Sequence, residues 1–264
     1  MSMEWKAKYG PWALVTGASS GLGIEFVRQL ASLGLNIVLV ARRKDRMDAL
    51  AQQMRETHRI ETHVVAMDLT AENACERVAE ETSDLEVGLL INNAGFGLSG
   101  SYSDLDPQRQ ANMTVLNCVV PVLLTNHFLP GMIDRGRGGL IFLASTAAYQ
   151  PTPFLGTYGA TKAFNLMLGE SLWHEYRNFG IDSLALSPGF TRTEFTRVAN
   201  IQDAGAFREA TVDDVVATAI RKLGRQPSIV HGWTNKILAF SVRILPRRMV
   251  MAITGAALKG RTSH

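Results

Sequence analysis

The chain has 264 residues, 46% hydrophobic and 19% charged, with 23 Gly and 9 Pro. That balance suits a globular protein with a sizeable core and excludes disordered, collagen-like and disulfide-scaffold chains. The net charge of +3 hides a split: residues 1–214 carry 18 Lys and Arg against 24 Asp and Glu, while residues 215–264 carry 9 basic residues and no acid. Two cysteines, Cys75 and Cys118, fit a reducing, cytoplasmic compartment. The N-terminal residues MSMEWKAKYGPW contain no apolar signal core. No run of about 20 apolar residues suggests a membrane span, and the six histidines lack metal-ligand spacing, so no metal is expected.

In chain order, apolar runs alternate with amphipathic segments. Trp12–Thr16 reads as a strand, Gly21–Leu33 as a helix, and the β-branched run Leu35–Ala41 as a strand buried on both faces. Asp45–His58 follows as a charged amphipathic helix, His63–Met67 as a strand, Ala71–Ser83 as a helix and Val87–Asn92 as a strand. Pro107–Gly131 reads as one long helix stopped near Gly131. Then come strand Gly139–Ala144, helix Tyr158–Asn178, strand Asp182–Leu186, helix Val212–Leu223 and strand Ser228–Val230. This rhythm predicts an α/β fold: a doubly wound, Rossmann-type parallel sheet of about seven strands with helices on both faces. Trp233–Ile244 and Arg247–Leu258, broken at Pro246, form a helical C-terminal extension. Residues 1–231 are expected to be the catalytic domain, with 232–264 packed on it.

Thr16-Gly17-Ala18-Ser19-Ser20-Gly21-Leu22-Gly23 joins the first strand to the first helix. Glycines there allow a tight turn and close backbone approach, and the helix N-terminus attracts a pyrophosphate. The second strand ends Ala41-Arg42-Arg43-Lys44, with no acid where a ribose 2′-hydroxyl would be bound. A 2′-phosphate needs a cation, so NADP(H) is favoured over NAD(H), with Arg42 as the expected phosphate partner and Arg43 beside it. Tyr158 and Lys162, four residues apart, share a helix face. A nearby ammonium favours a phenolate, so this pair suits proton transfer at neutral pH.

The Gly-x-x-x-Gly-x-Gly spacing, taken with Thr16 before it, resembles the short-chain dehydrogenase/reductase family, and five further motifs agree with it over about residues 11–194. Asp68 and the following Leu69 resemble the family's adenine contact, and Asn92-Asn93-Ala94-Gly95 its Asn-Asn-Ala-Gly turn. Asn117, Ser145, Tyr158 and Lys162 match its catalytic residues. Pro188-Gly189-Phe190-Thr191-Arg192-Thr193 resembles the loop where Thr191 and Thr193 hold the nicotinamide carboxamide.

The resemblance implies hydride transfer between a nicotinamide and a ketone or secondary alcohol. Tyr158 would exchange the proton, Lys162 would tune it and bind ribose, Ser145 would polarise the carbonyl, and Asn117 would hold a relay water. Phe96, Tyr149, Pro151, Pro153, Phe154, Phe190, Phe195 and Val198 are the expected substrate-facing groups, and they suggest a lipid-like or 3-oxoacyl substrate. The loop after the sixth strand, through Phe207, is expected to act as a lid. The alternative is a non-catalytic NADP(H) sensor or a peripheral membrane-associated interaction protein. The basic tail allows packing on the core or a second copy, contact with anionic membrane, or steering of an anionic substrate. No nucleic-acid motif is present, and family members commonly self-associate, so a homo-oligomer is expected.

Overall fold

The computed structural model describes residues 2–191, 194 and 210–259. Seven strands form one parallel sheet: β1 (Trp12–Thr16), β2 (Asn36–Ala41), β3 (Thr62–Ala66), β4 (Val87–Asn92), β5 (Gly138–Leu143), β6 (Ile181–Ser187) and β7 (Ser228–Val230). Their order across the sheet is β3-β2-β1-β4-β5-β6-β7. The chain starts in the middle and winds outward in both directions. The switch point therefore lies between β1 and β4, where open α/β sheets bind ligands beyond the strands' carboxyl ends.

One face is covered by α2 (Gly21–Ser32), α3 (Lys44–His58) and α8 (Val212–Lys222). Phe26, Leu30, Met47 and Val216 pack there against Val15, Leu39 and Ile91. The other face carries α4 (Ala74–Glu81), α6 (Val120–Arg135) and α7 (Gly156–Tyr176). Leu14, Val40 and Leu90 meet Val78, Leu124 and Met132 there. The alternating inner residues of each strand thus feed two separate apolar layers.

Two differences from the sequence expectation have physical causes. First, the helix predicted to stop at Gly131 runs from α5 (Pro107–Thr114) through a π-helical turn (Val115–Val119) to Arg135. A helical glycine costs only about 1 kcal/mol, and the stop comes instead at Gly136, whose φ of 63° is left-handed. This rod has the length and apolar character of a membrane span, which the sequence reading did not find. Leu124, Leu129 and Met132 are nonetheless packed in the core, so it is a core helix. Second, α1 (Ser2–Tyr9) was not expected from its charged, aperiodic sequence. It docks through Tyr9, whose hydroxyl donates to Asp182 Oδ2 at 2.5 Å.

After β7, α9 (Trp233–Ser241) and α10 (Arg247–Lys259) fold back over the carboxyl edge of the sheet.

Candidate functional site

The strand ends open into a cleft of about 810 Å³. Its inner end is the turn between β1 and α2, where Gly17, Ser19, Ser20, Gly21 and Leu22 line the wall and Gly23 lies just behind. Gly17 has φ +68°, and a Cβ on Gly23 would lie 2.1 Å from the Gly17 carbonyl oxygen, so neither position takes a side chain. Thr16 fastens this turn to the end of β4. Its Oγ1 donates to the Ile91 carbonyl at 3.1 Å and accepts from the backbone N–H of Asn93 and Ala94 at 3.0 and 2.9 Å. Asn93 Nδ2 returns a bond to the Thr16 carbonyl at 2.7 Å. Asn93, Ala94 and Gly95 then line the cleft.

Both expected cations stand at the rim, in different settings. Arg43 Nε donates to Ser19 Oγ at 3.2 Å and Nη2 to the Ser19 carbonyl at 3.1 Å, which holds the guanidinium on the glycine-rich turn. Its Nη1 reaches Glu194 at 2.8 Å, and Arg46 binds the other oxygen of that carboxylate at 2.8 Å. Hydrogen bonds from Arg46 and Arg43 hold the Glu194 carboxyl down at about 2. Arg42 is 77% exposed and lies 3.8 Å from Asp68. Partial burial pushes the Asp68 carboxyl up, but two bonds from Thr70 and the charge of Arg42 outweigh it, and it lies below its ordinary value. Asp68 and Leu69 both line the cleft.

At the centre, Ser145 follows β5, and its Oγ accepts from the Ala147 N–H at 3.1 Å. The first turns of α7 supply Tyr158 and Lys162, which are 8% and 6% exposed. The Tyr158 hydroxyl hydrogen-bonds with Ser145. Burial raises the Tyr158 pKa to about 12, and the Ser145 bond offsets only part of this. Burial also lowers Lys162 to about 8. The Lys162 ammonium donates to the Leu143 carbonyl at 2.7 Å and stands 5.8 Å from the centre of the Tyr158 ring. Tyr158 is thus raised in this geometry, not lowered as expected from sequence, because desolvation of the phenol outweighs the bond with Ser145.

Asn117 sits in the π-helical turn, 1% exposed. Its Nδ2 donates to the Phe96 carbonyl at 3.0 Å and to Thr161 Oγ1 at 2.9 Å, and its Oδ1 accepts from the Phe96 N–H at 3.2 Å. Its own carbonyl accepts from Asn165 Nδ2 at 2.7 Å. Asn117 therefore ties the loop after β4 to the catalytic face of α7. Thr161 and Asn165, which sequence reasoning missed, complete that tie.

Beyond β6, Pro188, Gly189 and Thr191 line the cleft, and the Pro188 carbonyl accepts from the Thr146 N–H at 3.0 Å. Thr193, Phe195 and Val198, and the lid expected through Phe207, lie outside the described residues.

The outer end is mostly apolar and differs from expectation. Phe96 and Phe190 line it, but Gln150, Thr152 and Leu155 do so in place of Tyr149, Pro151, Pro153 and Phe154. Tyr149 is turned toward Ser187 Oγ, 3.4 Å from its hydroxyl. The roof comes from the extension: Asn235, Leu238 and Ala239 of α9, and Thr254, Ala257 and Leu258 of α10. Arg109 and Asn112 of α5 add polar groups at the rim.

A profile of the short chain dehydrogenase family matches residues 11–204. The chain belongs to that family. It is an oxidoreductase of the NAD(P)-binding Rossmann type. It is 30% identical over 264 residues to the human very-long-chain 3-oxoacyl-CoA reductase, covering 97% of this chain and 82% of that protein. A 7beta-hydroxysteroid dehydrogenase structure superposes with a TM-score of 0.86 at 29% identity, covering 95% of this chain and 98% of the other. A short-chain dehydrogenase from Sphingobium yanoikuyae, solved with NADPH, gives 0.81 at 30% identity, covering 92% and 96%. The side-chain-free turn at Gly17 and Gly23 and the cations beside it fit a dinucleotide phosphate cradle.

Proposed function

We propose that the protein is an NADP(H)-dependent reductase that interconverts an apolar, lipid-like ketone and its secondary alcohol. The observation that carries this reading is the array of half-buried Ser145 with buried Tyr158 and Lys162, set between a phosphate cradle and an apolar outer cleft. The relatives named above, a 3-oxoacyl-CoA reductase and a hydroxysteroid dehydrogenase, agree with a bulky apolar carbonyl. The preference for NADP(H) rests on Arg43 and Arg42 at the rim and on the neutral Ala41 that ends β2 just before them.

The nicotinamide supplies or accepts the hydride at the carbonyl carbon. The chain's residues handle the charge that develops on oxygen. Tyr158, neutral at physiological pH, donates its hydroxyl proton to the forming alkoxide, and Ser145 Oγ donates a hydrogen bond to the same oxygen. A protonated Lys162 brings positive charge near the phenolate left behind and stabilises it. Asn117 and Asn165 hold α7 in register with the loop after β4, so that the donors stay aimed at one point. The second lone pair of the Asn117 carbonyl is the place for a relay water.

We further propose that residues 1–231 carry the chemistry while 232–264 shape the substrate end. Self-association is assigned to the apolar face formed by the π-helical turn, α6 and α7, where Val119, Leu123, Phe164 and Met167 are exposed. The free thiols of Cys75 and Cys118 support a cytoplasmic setting.

The test is NADPH oxidation across a panel of ketones of rising chain length and ring number. The reading expects kcat/KM to climb with apolar bulk. A preference for small polar ketones would overturn it.

A further inference from the structure

Helices α9 and α10 are apolar on two faces. Inward, Ala239 and Val250 are buried, while Leu238, Thr254 and Leu258 roof the cleft. Outward, Trp233, Ile237 and Phe240 form an i, i+4, i+7 stripe, continued by Ile244 beyond the helix end and by Met249 and Ile253 on α10. Trp233 is 75% exposed and Ile244 71%. Contiguous apolar surface of this kind marks a docking site. It is rimmed by exposed Lys236, Arg243, Arg247, Arg248 and Lys259, and residues 215–264 hold no acid.

We propose that the outer face of α9 and α10 docks on an anionic lipid bilayer, lying in its interface without crossing it. The cleft beneath this roof then opens beside the hydrocarbon, positioned to take its apolar carbonyl from the lipid. That last clause rests on the proposed function, whereas the docking does not.

Three observations favour lipid over protein as the occupant. A two-fold contact of this face with itself would bring its cations together, with no acid in 215–264 to neutralise them. The exposed apolar residues of α6 and α7 offer a second copy a separate surface. The chemistry of the patch, an apolar stripe with a tryptophan at one end and a basic rim, is that of helices that bind anionic interfaces. With 9 and 13 residues, neither helix can cross a hydrocarbon core about 30 Å thick.

The experiment uses the full chain with vesicles of phosphatidylcholine alone and of phosphatidylcholine mixed with phosphatidylglycerol. Co-sedimentation at low salt is expected to favour the anionic vesicles by about tenfold or more, and to weaken at high salt. Tryptophan emission should shift to the blue on binding, and Trp233→Phe should remove most of that shift. The double variant Phe240→Glu, Ile244→Glu should stay in the supernatant, with circular dichroism and NADPH oxidation of a soluble ketone unchanged.

Wild type that ignores anionic vesicles, or binds both vesicle types equally, would overturn the proposal. So would a double variant that still binds. If vesicle binding is absent and the double variant halves the solution mass, the face belongs to a second copy. Binding without ketone turnover would sink the proposed function and leave the docking intact, and turnover without binding would do the reverse.

Discussion

On the proposed NADP(H) reading, the cofactor 2′-phosphate and Glu194 would compete for Arg43. Arg43 is held on Ser19 at the phosphate cradle, yet its Nη1 already carries the Glu194 carboxylate at 2.8 Å. Bound NADPH would then take over at least part of that bond, whereas NADH, lacking the 2′-phosphate, would not. The Glu194 side chain is 36% exposed, so its pair with Arg43 is screened and contributes about 0.2–1 kcal/mol. Replacing the charge by Glu194→Gln should therefore tighten NADPH binding by about 1.4-fold to fivefold. Removing the cation by Arg43→Ala loses charge-assisted bonds to phosphate at a site 37% exposed. After discounting for solvent, that loss is about 1–2 kcal/mol, or roughly fivefold to thirtyfold weaker NADPH binding. NADH affinity should move little in either variant. Titration of protein fluorescence with each dinucleotide, repeated at high salt where both effects should shrink, measures this. If Glu194→Gln weakens NADPH binding, or shifts NADH equally, Glu194 is not a stand-in for the phosphate and the reasoning fails.

Other consequences follow from the buried groups. Asn117→Ala leaves the Phe96 N–H and carbonyl without their side-chain partner, and should cost about 2–4 kcal/mol of stability in urea titration, with a fall in kcat. Lys162 is held at about 8, below its unfolded value of about 10.4. Between those pH values the unfolded chain binds the proton that the folded chain has released, so stability rises with pH. Wild type should gain on the order of 2 kcal/mol relative to Lys162→Met between pH 8 and pH 10. Tyr158, raised to about 12, works the opposite way above pH 10, where the unfolded phenol ionises first and stability falls. Urea midpoints measured across that range, in wild type and the lysine variant, check both signs.

The sequence made the architecture legible because both periods it uses are local. Apolar runs such as Leu35–Ala41 announce buried parallel strands, and Tyr158 and Lys162 share a face simply by helical spacing. Ser145 was readable as the residue closing a strand beside them. What stayed hidden depends on distant or aperiodic partners. Asn165 and Thr161 meet Asn117 across 48 and 44 residues, and nothing in their own neighbourhood signals it. Glu194 lies 151 residues from Arg43. In the loop 149–155, no repeat fixes which side chains face inward, and the expected set was displaced onto Gln150, Thr152 and Leu155. The basic tail lies outside every motif, yet its inner faces roof the substrate end of the cleft. Only the fold-back of α9 and α10 reveals that.

On the proposed mechanism Tyr158 gives the proton while the cradle independently binds the cofactor. Tyr158→Phe removes one oxygen and keeps the ring. The most direct measurement pairs NADPH affinity with single-turnover NADPH oxidation on the best ketone of the panel. Tyr158→Phe should keep NADPH affinity within about twofold of wild type and lower the rate by roughly 10²–10⁴, the usual worth of a positioned proton donor. Wild-type turnover in Tyr158→Phe would contradict it.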